Sequence, residues 1–377
     1  MDYKNELNDR QYEAVVSTEG PVLVLAGAGS GKTRVLTYRI AYLVGECGVA
    51  PHNIMAITFT NKAAREMRER TERLLNGNVS GMWLNTFHSA CGKILRANAE
   101  RIGFTSNFVI YDDSEATAVI KDCQRRLNID DKRLSHGTIK AVISKQKDEM
   151  ITPEQFADMS DQKNYDSRML AMCYQMYRDT LKKNNAMDFD DMLINTLELF
   201  DKCPDVLEHY QNRFKYIMVD EYQDTNQAQY LFVSKLAAKY HNLCVVGDDD
   251  QSIYSFRGAD IRNILNFEKE NRNCKVIKLE QNYRSTQHIL DAANKVIAHN
   301  SGRKSKSLWT AKGSGDKIVH YTAYNQNEEA DYVVREIRKG VHSGDMNYSD
   351  YAVLYRANAL SKNIENSLVK LKTLYLI

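Results

Sequence analysis

A glycine-rich stretch near the start of the chain, AGAGSGKT, has the composition of a phosphate-binding loop. Ala26 is followed by four residues and then by Gly31, Lys32 and Thr33. Glycines let the backbone turn so that its N–H groups point at phosphate oxygens, and the helix that follows adds its positive N-terminal end. Lys32 is expected to contact the β- and γ-phosphates, and the Thr33 hydroxyl to bind Mg²⁺. The spacing therefore predicts a nucleoside triphosphate site.

A second stretch, YIMVDEYQD, supplies the acidic partner that such a loop needs. Its apolar run is typical of a buried strand, which would deliver Asp220 and Glu221 to the carboxyl end of that strand. Asp220 suits the magnesium shell, and Glu221 suits a general base that takes a proton from the attacking water. The alternative interpretation is an acidic helix cap with no catalytic role.

These two stretches need a parallel sheet to bring them together. Strands are predicted at four apolar runs: GPVLVLAG, NIMAITFT, YIMVDE and LCVVGD. Helices are predicted after the first two runs, at KTRVLTYRIAYLVGE and at NKAAREMRERTERLL, the second of them opened by Asn61. The alternation of strand and helix predicts an α/β fold in which crossover helices connect parallel strands.

Two later parts of the chain have different patterns. Residues 108–186 have helical periodicity and no predicted strand, which indicates a helical insertion. After residue 283 a second α/β pattern begins, with strands predicted at KIVHYTAY and DYAVLYR, and SGRKSKS between the patterns is a basic loop of small residues. The predicted organisation is a first domain of residues 1–107 and 187–283, an inserted subdomain of residues 108–186, and the start of a second domain at residues 284–377.

Composition limits the possible partners only weakly. The chain has 377 residues, 43% of them hydrophobic and 27% charged, and its formal net charge is +2, so no strongly basic domain indicates nucleic acid. No apolar run approaches the roughly 18–20 residues of a membrane span, and the polar N-terminus is unlike a secretory signal. We therefore expect a cytoplasmic protein with no membrane partner. Seven scattered cysteines without a CxxC pair predict reduced thiols.

Seven short motifs identify a family when they are taken in order along the chain. They are LNDRQYEAV, AITFTNKAAREM, NTFHSA, VDEYQDTNQAQ, VVGDDDQSIYSFRGAD, LEQNYRST and YAVLYRANALSKNIE, with the phosphate loop after the first. In this order they closely resemble the motifs of superfamily 1A helicases, the UvrD/Rep/PcrA group. The resemblance runs from about residue 7 to about residue 365. It implies a RecA-like parallel-sheet domain with a helical insertion, followed by the first part of a second RecA-like domain.

The resemblance implies an ATP and Mg²⁺ site. Its nucleotide and metal contacts would be Gln11, Ala28, Gly29, Ser30, Gly31, Lys32, Thr33, Arg34, Asp220, Tyr283 and Arg284. Gln11 would read the adenine edge, and Tyr283 would stack on the adenine ring. Gln251 and Arg284 would contact the γ-phosphate and complete a catalytic set with Lys32 and Glu221. An arginine fork that binds only while the γ-phosphate is present would couple hydrolysis to a loosening of the two domains.

The resemblance also implies a single-stranded DNA site, whose contacts would be Phe59, Thr60, Asn61, Thr86, His88, Tyr254, Phe256 and Arg257. Aromatic faces at Tyr254 and Phe256 can stack on unpaired bases whatever their sequence. The family usually has tryptophan at the position of Phe256, and stacking survives that change. Core packing is the alternative for the aromatic residues, and a structural hydrogen bond is the alternative for His88.

The implied activity is that of an ATP-dependent 3′–5′ DNA helicase and translocase of the bacterial repair or replication type, acting on single strands and on single-strand/duplex junctions. Two later motifs of the family, one with DNA contacts and one with a second γ-phosphate arginine, do not occur in the sequence. This chain is therefore expected to be a truncated form that binds ATP and DNA but unwinds poorly. Two alternatives stay open: a binding module without productive turnover, and the motor part of a recombinational helicase–nuclease.

Overall fold

The computed structural model describes residues 2–77, 79–161, 163–300, 303–304 and 306–371. The chain divides into two compact units, Met1–Gly315 and Asp316–Ile377, which are called here the first and the second unit. No helix in the described ranges is long and apolar enough to cross a membrane. The predicted domain boundary at residue 284 lies inside the first unit and stays a prediction.

The strands of the described residues belong to two sheets, both in the first unit. In chain order they are β1 (Val22–Ala26), β2 (Ile54–Thr58), β3 (Trp83–Thr86), β4 (Val109–Ile110), β5 (Ala186–Met187), β6 (Tyr216–Val219), β7 (Leu243–Gly247) and β8 (Lys275–Leu279). Six of them form one parallel sheet in the order β3-β2-β6-β7-β1-β8. Their carboxyl ends therefore meet at one edge of the sheet, where ligands of open α/β sheets bind.

The helices of the first unit connect and cover these strands. They are α1 (Tyr3–Glu6), α2 (Asp9–Val16), α3 (Lys32–Gly45), α4 (Asn61–Leu74), α5 (Phe87–Asn98), α6 (Asp113–Arg126), α7 (His136–Asp148), α8 (Pro153–Met159), α9 (Tyr165–Lys183), α10 (Phe189–Lys202), α11 (Pro204–Arg213), α12 (Gln227–Ala237), α13 (Arg262–Glu270) and α14 (Gln287–Ile297). Helices α3 and α4 follow β1 and β2, so the predicted alternation of strand and helix is confirmed. Asn61 is the first residue of α4, but its cap is Thr60, whose hydroxyl accepts a hydrogen bond from the Ala63 N–H at 3.1 Å.

The large sheet is buried on both faces, and this explains the continuous apolar runs of its central strands. Along β1, Leu23 and Leu25 pack on one face, while Val22 and Val24 pack on the other. The edge strands β3 and β8 were not among the predicted strands. In β8 only Ile277 and Leu279 are buried, and two of its five residues are lysines, so the run has too little apolar character to stand out.

The inserted segment is helical, but its ends correct one prediction. The sequence pattern predicts no strand within residues 108–186, whereas β4 pairs in parallel with β5, Val109 opposite Ala186 and Ile110 opposite Met187. Strands of two residues are too short to give a periodic signal. This pairing brings the two ends of the insertion together, while helices α6 to α9 form a separate core around Ile120, Ile139 and Tyr177.

Residues 316–371 of the second unit form two α-helices, α15 (Gln326–His342) and α16 (Ser361–Lys370). They pack together, and the Ser367 hydroxyl donates a hydrogen bond to Asp331 at 2.6 Å. The strands predicted at KIVHYTAY and DYAVLYR are wrong for the described residues of this unit, because neither segment pairs with a strand. Apolar character alone does not make a strand without a hydrogen-bonded neighbour, and Val319 and Leu354 are 76% and 89% exposed.

Phe232 on α12 tests the aromatic core on one face of the large sheet. It is fully buried between Phe87 and Phe200, with ring centroids 6.3 Å and 6.1 Å away. Phe232→Ala should lower the free energy of unfolding by about 3–5 kcal/mol, because it removes buried apolar surface and leaves a cavity. Urea unfolding followed by circular dichroism measures the change. Met159→Ala, at a 70% exposed position, is the control and should change stability by less than about 0.5 kcal/mol. Equal effects of the two changes would contradict the packing.

Candidate functional site

The phosphate loop joins β1 to α3 and requires glycine at two positions. Gly29 and Gly31 have φ values of 67° and 90°, in the left-handed region that other residues rarely adopt. A Cβ atom at Gly31 would lie 2.7 Å from Nε2 of Gln11, and one at Gly29 would lie 2.7 Å from the Arg284 Cβ. Gly31 is the N-cap of α3, and no side chain caps this helix, so the N–H groups of its first turn can bind an anion.

A hydrogen-bond network joins the two residues predicted to bind adenine. The buried Gln11 side chain donates to the Ser30 carbonyl at 2.9 Å. Asn8 accepts from the Gln11 N–H at 2.8 Å and donates to the Tyr283 hydroxyl at 2.7 Å. Tyr283 is 44% exposed, so its ring can still stack on a base. The structure therefore brings Gln11 and Tyr283 together through Asn8, which sequence reasoning did not single out.

The segment that carries Arg284 is attached directly to the phosphate loop. Asn282 is buried and donates to the Ala28 carbonyl at 2.6 Å, and its side-chain oxygen accepts from the N–H groups of Arg284 and Ser285 at 2.8 Å and 2.7 Å. The Tyr283 N–H donates to the Gly29 carbonyl at 2.9 Å. Arg284 is consequently held beside Gly29 by its neighbours. Asn282 lies in the motif LEQNYRST, but its role is visible only in the fold.

The loop lysine and the predicted base are in contact. Lys32 Nζ lies 2.5 Å from Oε2 of Glu221, and the side chains of Lys32 and Glu221 are 11% and 39% exposed. Gln223 donates to the same Glu221 oxygen at 3.0 Å. The Glu221 backbone has a φ of 50°, so the chain turns sharply at the end of β6 and presents the carboxylate beyond the sheet edge. Lys32 and Glu221 thus form one charged pair at the sheet edge.

Asp220 lies beside Thr33, as the metal site requires. The Asp220 side chain is buried, and burial and the neighbouring Glu221 raise the pKa of Asp220 to about 6. The charge of Lys32, the Glu221 N–H and the Thr33 hydroxyl oppose that rise. A carboxylate and a hydroxyl side by side are the hard oxygen donors that Mg²⁺ prefers, so the residues present fit this ion.

Gln251 is linked to Glu221 through Asp248 and Gln223. The Asp248 N–H donates to Oε1 of Gln223 at 2.9 Å, while Nε2 of Gln223 holds Glu221. The Gln251 side-chain amide donates to the Asp248 carboxylate, and the Gln251 N–H donates to the Asp248 carbonyl at 2.9 Å. The predicted γ-phosphate sensor is therefore positioned by Asp248. Gln223 belongs to YQD, directly after the predicted strand.

A cavity of about 1560 Å³ connects the charged residues with the predicted DNA contacts. Its lining on the nucleotide side includes Thr33, Asp220, Glu221 and Gln251. The same cavity is lined by Phe59, Thr60, His88, Tyr254 and Phe256. The structure thus brings members of both predicted sets to one space, while Gln11 and Tyr283 are joined to the phosphate loop by the hydrogen bonds above.

Several DNA-contact candidates lie where helices begin. The Thr60 and Thr86 hydroxyls cap α4 and α5, Thr86 by accepting from the Ser89 N–H at 3.2 Å, and Asn61 is exposed in the first turn of α4. Both helix N-termini follow strands whose carboxyl ends meet at this sheet edge, where N–H groups can bind a phosphate. The two threonines therefore also have a structural role as caps.

The predicted stacking residues differ in burial. Tyr254 and Phe256 are 39% and 74% exposed with ring centroids 6.0 Å apart, which does not fit core packing. Phe59 is half-buried against Phe87, with ring centroids 5.5 Å apart, so it combines packing with a place in the cavity wall. Arg257 ends the short turn after Tyr254, and its side chain lies outside the described residues.

His88 has an aromatic neighbour that sequence reasoning missed. Burial lowers the pKa of His88, although Asp190 opposes that change. The ring of Phe189, the first residue of α10, meets the His88 ring edge-on at 5.6 Å and is 52% exposed. An exposed phenylalanine beside a predicted DNA contact is a further candidate for base stacking. The surrounding sequence, DFDD, contains no pattern that would have indicated Phe189 as a stacking residue.

Arg34 lies away from the residues that it was predicted to join. Its guanidinium donates to the Glu6 carbonyl at 2.7 Å and lies 5.1 Å from the centroid of the Tyr38 ring. The structure therefore directs this side chain toward α1. The phosphate contact predicted for Arg34 stays a prediction.

Three consecutive aspartates, Asp248, Asp249 and Asp250, have carboxylate oxygens within 4.8 Å of one another. Such a cluster resembles a metal site in its donors. Here Lys306 forms ion pairs with all three, and Arg303 pairs with Asp250. The basic loop noted in the sequence therefore neutralises this acidic turn.

A six-stranded parallel sheet with a glycine-rich loop after β1 and an acidic pair after β6 defines a phosphate-loop nucleotide-binding protein. Residues 7–272 match the family model described as the UvrD/REP helicase N-terminal domain, and residues 277–377 match the UvrD-like helicase C-terminal domain. The chain belongs to this helicase family, so the family resemblance and the RecA-like α/β fold class are confirmed.

Curated relatives support the same assignment. The chain is 53% identical over 364 residues to a protein of Staphylococcus epidermidis named ATP-dependent DNA helicase PcrA, covering 97% of this chain and 50% of that protein. It is 53% identical over 367 residues to a Staphylococcus aureus protein of the same name, with the same coverage of each. The chain spans about half the length of the curated relatives it matches.

Asp148 lies at the end of α7 in the wall of the cavity. It accepts a hydrogen bond from the Asn226 side chain at 2.6 Å. Burial, reinforced by the charge of Asp190, raises the pKa of Asp148 to about 7. The folded protein therefore holds a proton here between about pH 4 and pH 7, where the unfolded chain has lost it.

The resulting pH dependence can be measured with Asp148→Asn, which keeps the shape and cannot ionise. The stabilisation from the protonated carboxyl is fully present below about pH 4 and is lost as the pH rises through 7. The variant should match the parent at pH 4 and exceed its free energy of unfolding by about 1–3 kcal/mol at pH 8. Urea titrations at each pH measure this, with the exposed Asp345→Asn as the matched control. A difference that stays constant from pH 4 to pH 8 would assign the effect to packing.

Proposed function

We propose that this chain binds ATP with Mg²⁺ and single-stranded DNA, and that the whole protein uses ATP hydrolysis to move in the 3′–5′ direction and to unwind DNA at single-strand/duplex junctions. The observation that carries the proposal is the single cavity lined both by Asp220 and Glu221 and by the exposed rings of Tyr254 and Phe256. The direction, and a cytoplasmic role in bacterial DNA repair or replication, rest on family membership alone.

In the proposed nucleotide site, the first motif and Tyr283 hold the adenine, and the loop N–H groups hold the phosphates. Gln11 presents its amide beside Ser30, and Tyr283 offers an exposed ring face. Thr33 and Asp220 would hold Mg²⁺, which neutralises charge on the phosphate oxygens when it is bound. Their adjacency supports this assignment.

Glu221 is proposed as the base that takes a proton from the attacking water. Its carboxylate is 39% exposed and lines the cavity, so a water molecule can reach it. Lys32, with three donors, can contact both Glu221 and a phosphate. Gln251 and Arg284 are proposed at the γ-phosphate, with Arg284 held beside the loop through Asn282.

The proposed DNA site combines phosphate contacts with base stacking. The capped N-termini of α4 and α5 offer backbone N–H groups to the strand, and the rings of Tyr254, Phe256 and Phe189 offer stacking faces. These groups do not read base edges, so binding should show little sequence preference. It should weaken as salt rises, because bound phosphates release counterions.

Directional movement separates the proposed motor from a binding module without turnover. Stopped-flow fluorescence of an end-labelled oligonucleotide, with and without ATP, should show ATP-dependent movement toward one end in the whole protein. ATP and DNA binding without such movement would contradict the motor and leave the binding module.

The roles of the charged pair can be separated by two variants. Lys32→Ala should weaken ATP binding strongly, because the ammonium is proposed to hold the β- and γ-phosphates. Glu221→Gln should keep ATP affinity within about threefold and lower the hydrolysis rate by about 10²–10⁴-fold, the usual contribution of a positioned base. Calorimetric titration and phosphate release measure the two quantities. Equal losses of affinity in both variants would rule out Glu221 as the base.

Tyr254→Ala should weaken binding to poly-dT by about 1–3 kcal/mol if a base stacks on this ring. Tyr240→Ala is the matched control, because Tyr240 is 37% exposed and lies in the turn after α12, outside the cavity wall. Fluorescence anisotropy at two salt concentrations measures both. An affinity that is unchanged in Tyr254→Ala would remove this residue from the DNA site.

A further inference from the structure

A buried ion cluster joins the basic loop after α14 to the acidic turn before Gln251. Lys306 is 3% exposed at its side chain, and its Nζ lies 2.8 Å from Asp248 Oδ1 and 2.7 Å from Asp250 Oδ2. It also contacts Asp249. Arg303 donates from Nε and Nη2 to the two oxygens of Asp250, both at 2.8 Å.

The backbone of the same loop adds a third attachment. The Lys304 N–H donates to Asp249 Oδ2 at 2.7 Å, while the Lys304 side chain pairs with Glu268 on α13 at 2.8 Å. Arg303, Lys304 and Lys306 are called here the basic strap. Each member contacts an acidic residue. The side chains of Arg303 and Lys306 pair with the three aspartates Asp248, Asp249 and Asp250, which are called here the aspartate turn.

The cluster constrains the turn strongly because its charges are removed from water. The side chains of Asp248, Asp249 and Asp250 are 3%, 0% and 2% exposed. Three neighbouring carboxylates repel one another and are stable at such burial only with cations beside them. Lys306 and Arg303 supply those cations, so the position of the turn depends on the strap.

The constraint reaches Gln251 through a single residue. Lys306 holds Asp248 Oδ1, and the other oxygen of Asp248 accepts the hydrogen bond from the Gln251 side-chain amide. The Asp248 N–H is held by Gln223, which also contacts Glu221. A shift of Asp248 would therefore change the direction of the Gln251 amide first.

The strap and the turn lie in regions that match different family models. The three aspartates fall within residues 7–272, which match the N-terminal family model, and the strap falls within residues 277–377, which match the C-terminal model. The cluster thus connects Gln251 to the segment that begins with Arg284.

We propose that Lys306 is a positioning residue for γ-phosphate recognition. Lys306 fixes Asp248 directly, and Arg303 supports it by holding Asp250, whose N–H donates to Asp248 Oδ1 at 3.2 Å, so that the Gln251 amide faces the terminal phosphate. Recognition of that phosphate then depends on the chain segment that follows Arg284. This inference rests on the proposed ATP site and adds to it a residue that makes no contact with the nucleotide.

The test compares two nucleotides that differ at the γ-phosphate, so no turnover is needed. Calorimetry measures the dissociation constants of ADP and of the non-hydrolysable analogue adenylyl imidodiphosphate, both with Mg²⁺. In the parent chain the analogue should bind more tightly than ADP. The ratio of the ADP dissociation constant to that of the analogue measures recognition of the γ-phosphate. Lys306→Met should reduce this ratio about tenfold, the usual effect of losing a hydrogen bond to a charged group. ADP affinity should stay within about twofold.

Three further variants separate positioning from general stability. Lys306→Arg should restore most of the ratio, because it returns a cation to the cluster. Lys304→Met is the matched control in the same loop, since its side chain pairs with Glu268, and it should keep the parent ratio. Gln251→Ala combined with Lys306→Met should lower the ratio no further than Gln251→Ala alone, because the two residues act in series.

The outcomes distinguish the inference from the proposed function. If the parent chain binds neither nucleotide, the proposed ATP site itself is wrong. If the parent binds both equally, or if Lys306→Met leaves the ratio unchanged, the positioning role is overturned while the ATP site stands. If circular dichroism shows that Lys306→Met is unfolded, the same ratio is measured in Arg303→Gln, which changes the partly exposed end of the cluster. A lower ratio in that variant supports the role, and an unchanged ratio overturns it.

Discussion

The carboxyl edge of the sheet is organised by the need to neutralise acidic groups that the strands deliver there. Asp220 and Glu221 directly follow strand β6, and Asp248 directly follows β7. Lys32 meets Glu221 at 2.5 Å, and Gln223 bridges Glu221 to the N–H of Asp248. These contacts connect the phosphate loop to both strand ends. The rest of the site is built on this arrangement.

Two kinds of contact extend that arrangement away from the sheet. On the adenine side, the glycines of the loop allow close approach, so Gln11 and Asn282 reach its backbone with side-chain amides. On the other side, ion pairs to Lys306 hold the turn before Gln251. Neutral side-chain amides hold the phosphate loop, whereas buried ion pairs hold the turn before Gln251. Hydrogen bonds between charged groups are stronger than those between neutral groups, so the stronger constraint lies beside Gln251, the proposed γ-phosphate sensor.

The aromatic residues show how one residue type serves both packing and recognition. Phe87 and Phe232 are fully buried beneath the sheet, where their removal would leave a cavity. Tyr254 and Phe256 lie on a short turn after β7 and keep much of their surface exposed. Exposed ring faces of this kind can stack on unpaired bases.

The sequence by itself determined the α/β class, the central strands β1, β2, β6 and β7, and the motifs that carry Lys32, Asp220 and Glu221. These are local signals: continuous apolar runs mark strands buried on both faces, and glycine spacing marks a phosphate loop. Only the tertiary structure decided the short pair of β4 with β5, the unpaired segments of the second unit, and the partners of Asn8 and Lys306. Asn8 and Tyr283 are 275 positions apart, and Lys306 and Asp249 are 57 apart. Such contacts depend on how the strands are ordered, and no local pattern of residues encodes that order.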